Sequence, residues 1–426
     1  MQENEVQEET EVRQTPKSLC NKNYLLLWQG SLVSTVGDSL YEIALGFWIL
    51  AVTGSTALMG TLMAATILPR TLISPFAGAI VDRSDRKWLL IAMDLIRGVA
   101  ITFVGVMALL GLIKIWMVFA AGVILGICAA FFMPATQSAM PDLVPPKQII
   151  KANSAFSVIH SASGILGNAV GGFLFLWLGA PLLFFLNGIS FLVSAFSEIF
   201  ISIPSIKTAG AIKTSFWSDV KDGLRFVLKL RGLKILLISV AVNNLFSSMA
   251  MILIMPLFQR NEALGAGNYG LAMGGFAAGM FVGFLVLSFV NIKSKYRCLV
   301  FLTLALLAMS TMAVFPYIEI VPLMIAMIFF YGLVLSINNT FITSSMQLMV
   351  PRQKLGKVFG LLGMMAGGLS PLGMAVGGVL AEFIPLHLLI CGCFLVMFSL
   401  YIFLAFIKDV RDFICYEPPE AVEKQI

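Results

Sequence analysis

Charge is scarce in this sequence. Asp, Glu, Lys and Arg make up only 12% of its 426 residues, against 59% hydrophobic residues and a mean hydropathy of +0.95. That balance excludes a water-soluble globular protein. Phosphate-loop chemistry is missing too: the one Gly-Lys dipeptide, Gly356-Lys357, is followed by Val358 and has no upstream strand. No HExxH, Ser/His/Asp or Cys/His arrangement occurs, so neither catalysis nor ATP hydrolysis is expected, and no cofactor or metal is called for. The six cysteines are scattered. Cys391 and Cys393 sit two apart on one helix and face different directions, which implies neither a disulfide nor a metal site. A basic signal-peptide n-region is lacking as well, because the chain opens on the acidic, polar "MQENEVQEETEVRQ". That start predicts a disordered tail and a retained first helix.

Apolar runs of about 20 residues, long enough to cross a bilayer, fill most of the remainder. Twelve are predicted, near 24–51, 57–81, 88–112, 115–140, 152–178, 181–203, 233–259, 268–291, 298–316, 321–349, 357–381 and 386–408. They do not alternate as barrel strands do, and backbone groups in lipid must be satisfied within the segment, so they read as helices. The loops they leave carry basic residues on one side, from Arg83, Arg86 and Lys87 through Lys293 and Lys295 to Arg352, Lys354 and Lys357. Lys114 and Arg260 stand alone on the other. By the positive-inside rule the basic side is cytoplasmic, and an even number of spans puts both termini there. The net charge of +6 thus records topology in a cytoplasmic membrane rather than a nucleic-acid partner.

The chain repeats itself. Aligned without a gap, residues 144–172 and 350–378 place Val144, Pro145, Lys151, Gly167, Ala169, Val170, Gly171 and Gly172 on Val350, Pro351, Lys357, Gly373, Ala375, Val376, Gly377 and Gly378. A duplicated six-span unit gives two bundles, an arrangement found in transporters that alternate access at the bundle interface. The expected domains are a disordered tail over 1–20, a six-helix bundle over 21–203, a linker over 204–232, a second bundle over 233–408 and a tail over 409–426. Within the linker, Phe216, Val220, Leu224, Val227 and Leu228 line one helical face and Lys221, Asp222, Arg225 and Lys229 another, which predicts an interfacial amphipathic helix.

Between the second and third spans the chain reads "GAIVDRSDRK". Gly78, Asp82, Arg83, Arg86 and Lys87 there resemble the G-x-x-x-D-R-x-x-R-K inner-loop signature of the major facilitator superfamily. "GDSLYEIALGFWILAVTGS", "MDLIRG" and "PDLVPPKQIIKANS" are similar to its macrolide-efflux and enterobactin-exporter subgroup. The resemblance implies an all-α membrane protein of twelve helices in two six-helix bundles. It also implies an inner gate in which Asp82 meets the positive end of the eleventh helix near Gly356 and Lys357. Asp94 and Arg97, three apart near the inner end of the third span, lie beside that gate and read as an ion pair. Gly167, Asn168, Gly171 and Gly172 resemble the antiporter core of the fifth span, with Asn168 in place of Pro; Gly373, Gly377 and Gly378 are their counterparts in the eleventh. Two further departures are Asp85, where the family has a small residue, and a fourth span without an intramembrane arginine.

Charges inside the bilayer cost about 2.5–3.5 kcal/mol each on insertion scales, so each needs a partner or a task. At 1.5 Å per residue from the inner ends of their spans, Asp38 and Arg70 share a level, where protonating the acid would free the arginine. Glu42 follows Asp38 by one turn on the same face. These three are the candidates for proton coupling. Asn243, Asn244, Asn338 and Asn339 either line the cavity or bridge helices, and His160 reads as a packed or hydrogen-bonded side chain. Thirty-four Phe and 23 Met suit bulky apolar ligands, though the same residues serve packing.

The expected function is secondary active export of amphipathic organic compounds, drug-, macrolide- or siderophore-like, by proton antiport with alternating access. The partners are a small-molecule substrate, protons and the lipid bilayer, with a monomer as the working unit. Uptake or facilitated diffusion of one solute, a lipid scramblase and a transporter-like sensor are the alternatives.

Overall fold

The computed structural model describes residues 18, 21–81, 84–145, 148–202, 225, 227–261, 263–290, 292–350 and 352–416. Helix α1, Lys22–Thr53, starts where the Asn21 side chain accepts the Tyr24 N–H, and stops at Gly54, whose φ of 66° returns its own N–H to Leu50 O. Then come α2, Thr56–Val81, α3, Arg86–Leu109, and α4, Ile115–Leu143. The stretch Ile149–Ile199 is continuous except at Gly179, where φ 71° and ψ 165° break it ahead of Pro181. Its limbs are α5, 149–178, and α6, 180–199. The second half holds α7, Arg231–Arg260, α8, Gly265–Phe289, α9, Ser294–Val314, α10, Val321–Met349, α11, Arg352–Leu380, and α12, Leu386–Ala405. A short α13, Lys408–Ile414, follows.

Among the described residues ten helical segments are long and apolar enough to cross a bilayer. One of them, Ala162–Ile199, runs through the Gly179 break into α6, and α11 adds the shorter apolar stretch Gly367–Leu380, so the twelve expected crossings are all present. Several helices outrun their apolar windows. α4 continues through Pro134 and Pro141 to Leu143 and α11 begins at Arg352, because adding a residue to a formed helix costs far less than nucleating one. The expected C-terminal tail begins as α13: Val410, Phe413 and Ile414 are buried, and Asp409 pairs with Arg231 at 3.3 Å. The tail over 1–20, apart from residue 18, and the linker over 204–224 lie outside the described residues.

In the first half α1 packs between α5 and α6, α3 packs on α6, and α2 on α4; in the second, α7 packs on α11 and α12, and α8 on α10. The halves meet where α2 lies on α11 and α5 on α8. The repeated glycines occupy equivalent places in this plan. Gly167 and Gly171 face Ser39 and Ile43 of α1, as Gly373 and Gly377 face Leu245 and Met249 of α7. Gly172 crosses to Ala266 and Gly270 of α8, as Gly378 crosses to Thr56 and Gly60 of α2. A Cβ at either crossing would stand closer to the opposing carbonyl oxygen than carbon can, so only glycine admits these backbones.

Candidate functional site

Between the halves lies a cavity of about 310 Å³. The first half lines it with Asp38, Tyr41 and Glu42 of α1, Met63, Thr66 and Arg70 of α2, Arg97 of α3 and Asn168 of α5. The second half contributes Met251 and Met255 of α7, Tyr269 and Met273 of α8 and Met374 of α11. The three residues expected to couple protons therefore share one cavity. Glu42 and Arg70 are solvent-exposed within it, and Asp38 is half-buried.

Asp38 and Arg70 nevertheless make no ion pair among the described residues. Asp38 Oδ1 accepts a hydrogen bond from Asn187 Nδ2 of α6 at 3.4 Å, and Arg97 lines the same cavity as Arg70. Residue counting sets depth along a helix but not the direction of a side chain, and Arg70 is exposed where it lines the cavity.

Arg97 is buried and closely held. It is 5% exposed and paired with Asp94, itself fully buried. Its guanidinium lies 4.4 Å from the ring centres of both Phe132 of α4 and Phe191 of α6, a desolvated cation–π sandwich. Glu198 of α6, 2% exposed, has Asp94 and Arg97 as its charged neighbours. Neither Asn187 nor Glu198 is among the residues that sequence reasoning picks out, although the signal is there: an amide and an acid within the apolar run "FFLNGISFLVSAFSEIF".

The expected inner-gate residues divide. Asp82 and Arg83 lie outside the described residues, Gly78 is in α2 and Gly356 in α11, and the Lys357 side chain falls outside the description too. Arg86 pairs with Asp142 at the end of α4, 2.6 Å away, and donates to Ser138 O at 2.9 Å. Asp85 caps α3 by accepting from the backbone N–H groups of Lys87 and Trp88, so the family's small residue is replaced here by a helix cap. The Lys87 ammonium stands 5.9 Å from the Trp88 ring centre.

Asn243, Asn244, Asn338 and Asn339 converge, but in a separate chamber of about 100 Å³ that also takes in Phe301 of α9 and Tyr401 of α12. The chamber lies inside the second half, where Ser247 and Tyr331 share a 2.7 Å hydrogen bond. The His160 side chain lies outside the described residues.

At the end carrying Gly54, Lys114 and Arg260 the cavity is sealed. The Met255 side chain fills the space beside Gly46, and Phe47 meets Tyr269 edge-on at 5.3 Å. Gln259 Nε2 donates to Phe47 O at 3.5 Å, and Thr56 Oγ1 to Gly378 O at 2.9 Å. Toward the basic loops the described contacts between the halves are looser: a Cβ added to Gly367 would come no nearer than 3.9 Å to Thr71 Cγ2, and one on Gly164 would meet open space.

Two equivalent six-helix halves around a cavity closed at one end make this a membrane transporter, not an enzyme. Residues 15–416 match the model of the transmembrane secretion effectors, and the chain belongs to that family of major facilitator transporters. It is 28% identical over 394 residues to the uncharacterized MFS-type transporter YfiS of Bacillus subtilis, covering 89% of this chain and 92% of that one. Macrolide efflux protein A of Streptococcus pyogenes is 23% identical, with 84% and 89% covered. Multidrug efflux pump Tap of Mycolicibacterium fortuitum is 26% identical, with 91% and 96% covered. Among solved structures, a point mutant of the nucleoside transporter NupG superposes with a TM-score of 0.71 at 13% identity, over 91% of this chain and 98% of that one. At that identity the likeness is one of fold.

Proposed function

We propose that the protein is a secondary active exporter of amphipathic organic compounds that exchanges them for protons. The observation that carries this reading is the cavity: five methionines beside two carboxylates, in a space shared by both halves. Thioethers adapt to apolar ligands of varied shape, while Asp38 and Glu42 supply groups that either a proton or a cationic substrate can neutralise. Two relatives bear efflux names, one a macrolide exporter and the other a multidrug pump, which supports export and this substrate class.

Arg97 makes the exchange feasible. Because Asp94 already compensates it, Asp38 can gain or lose a proton without leaving a buried guanidinium unpaired, the arrangement that costs most in low dielectric. Asp38 is then the coupling group, Glu42 its accessory, and Arg70 a cation on the cavity wall. Under the positive-inside rule the basic loops face the cytoplasm with both termini, so the sealed end is the outer one and the state described here opens inward.

Inside-out vesicles test the reading. With an inwardly acid gradient they should accumulate a fluorescent amphipathic cation, and a protonophore should abolish it. Accumulation that ignores the protonophore would overturn proton exchange, and uptake only in right-side-out vesicles would overturn export.

A further inference from the structure

Two charges of the second half meet the α1–α2 hairpin at the sealed end. Arg260, at the end of α7, donates from Nη2 to Gly54 O, the cap of α1, at 3.3 Å. Glu382, in the turn between α11 and α12, accepts at Oε1 from Ser55 Oγ at 2.7 Å, the Ala57 N–H at 3.0 Å and Thr56 Oγ1 at 3.2 Å. A cation therefore stands at the negative C-terminal end of α1, and an anion at the positive N-terminal end of α2. The donors and acceptors of each bond lie in opposite halves, some 206 to 327 positions apart.

We propose that Arg260 and Glu382 are gate residues of the transport cycle: together they clamp the α1–α2 hairpin to the second half and hold this face of the transporter closed. The proposal rests on the alternating-access reading above and adds to it the residues that close one face. Exposed polar contacts contribute little to folding. These contacts differ in being made only when the halves meet, so whatever they contribute goes to the closed state and not to either half. The contact also accounts for a basic residue at position 260, on the face where the positive-inside bias leaves few.

The clamp is not operated by protons at neutral pH. The Ala57 N–H, then the Ser55 hydroxyl, hold the Glu382 carboxyl below the usual glutamate range. The groups facing it are the start of α2 and the Ser55 and Thr56 hydroxyls; Arg260 is engaged at Gly54, and Glu319 and His387 line the adjoining pocket of about 520 Å³. Opening must therefore come from movement of the halves.

The test is a cysteine reporter at Met374→Cys in the cavity of the full chain, labelled with a membrane-impermeant maleimide from the Arg260 face and measured above the parent chain's own background. Glu382→Gln and Arg260→Ala should each raise labelling about two- to fivefold, and the double variant about tenfold, as expected for two helix-end charges; Glu382→Asp should retain most of the closure. Labelling from the opposite face should fall in parallel. An unchanged rate in the double variant overturns the clamp. A rise from both faces means general loosening and overturns it equally. Because labelling needs neither substrate nor gradient, this result stands apart from any failure of the exporter reading.

Discussion

The Asn187 side-chain amide donates to Asp38 across the α1–α6 contact, 3.4 Å from Oδ1. The bond anchors an acid that also faces the cavity, where the carboxylate can meet a proton or a ligand. Asn187→Leu should thus disturb coupling while the cavity persists. Substrate binding measured by fluorescence quenching should change little, whereas the pH profile of transport should shift; an unaltered profile would argue against a positioning role.

Asp94 and Arg97 form a fixed pair, and this has a thermodynamic consequence. Asp94→Asn would strand the guanidinium between Phe132 and Phe191 and should destabilise the fold by about 3–5 kcal/mol. Combining it with Arg97→Met should recover much of that loss. Thermal unfolding in detergent of the single and double variants checks both statements.

Gly60 and Gly378 bring α2 and α11 into backbone contact at the sealed end. Gly60→Val should keep that end from closing and cut transport at least about tenfold, as a shift of about 1.4 kcal/mol or more in the closing equilibrium would. Gly392, whose added Cβ would meet open space, is the control: Gly392→Ala should transport normally.

The pH dependence of closure has a definite sign. Glu382 has its carboxyl lowered in the closed state, so its contribution is fully present above the ordinary glutamate value of 4.5 and is lost as pH falls through the lowered one. Maleimide labelling from the Arg260 face, divided at each pH by that of an always-exposed cysteine because only the thiolate reacts, should be flat from neutral pH down to about 5 and rise below the ordinary value. Glu382→Gln should remove that rise.

Much of this is legible in the sequence, for identifiable reasons. Apolar length reveals the spans because the bilayer imposes it, and the glycine pattern of 167–172 recurs at 373–378 because the same close approaches recur. Azimuth is not legible. The Asp94–Arg97 pair is legible from its i, i+3 spacing, but only coordinates bring Arg97 to the cavity beside Arg70, and the four asparagines line a separate chamber with α9 and α12 residues. Glu198 escapes notice because it sits near the end of its span, where water would ordinarily be in reach. Arg260 and Glu382, at the end of α7 and in the turn after α11, find their partners on the α1–α2 hairpin only where the halves meet.

The most direct measurement is proton-driven transport by Asp38→Asn in proteoliposomes with an imposed pH gradient, alongside binding of the same compound. Binding should survive within a few-fold, and transport driven by the gradient should fall to the level of empty liposomes. Full gradient-driven transport by Asp38→Asn would contradict the account, since no proton could then be travelling on that carboxylate.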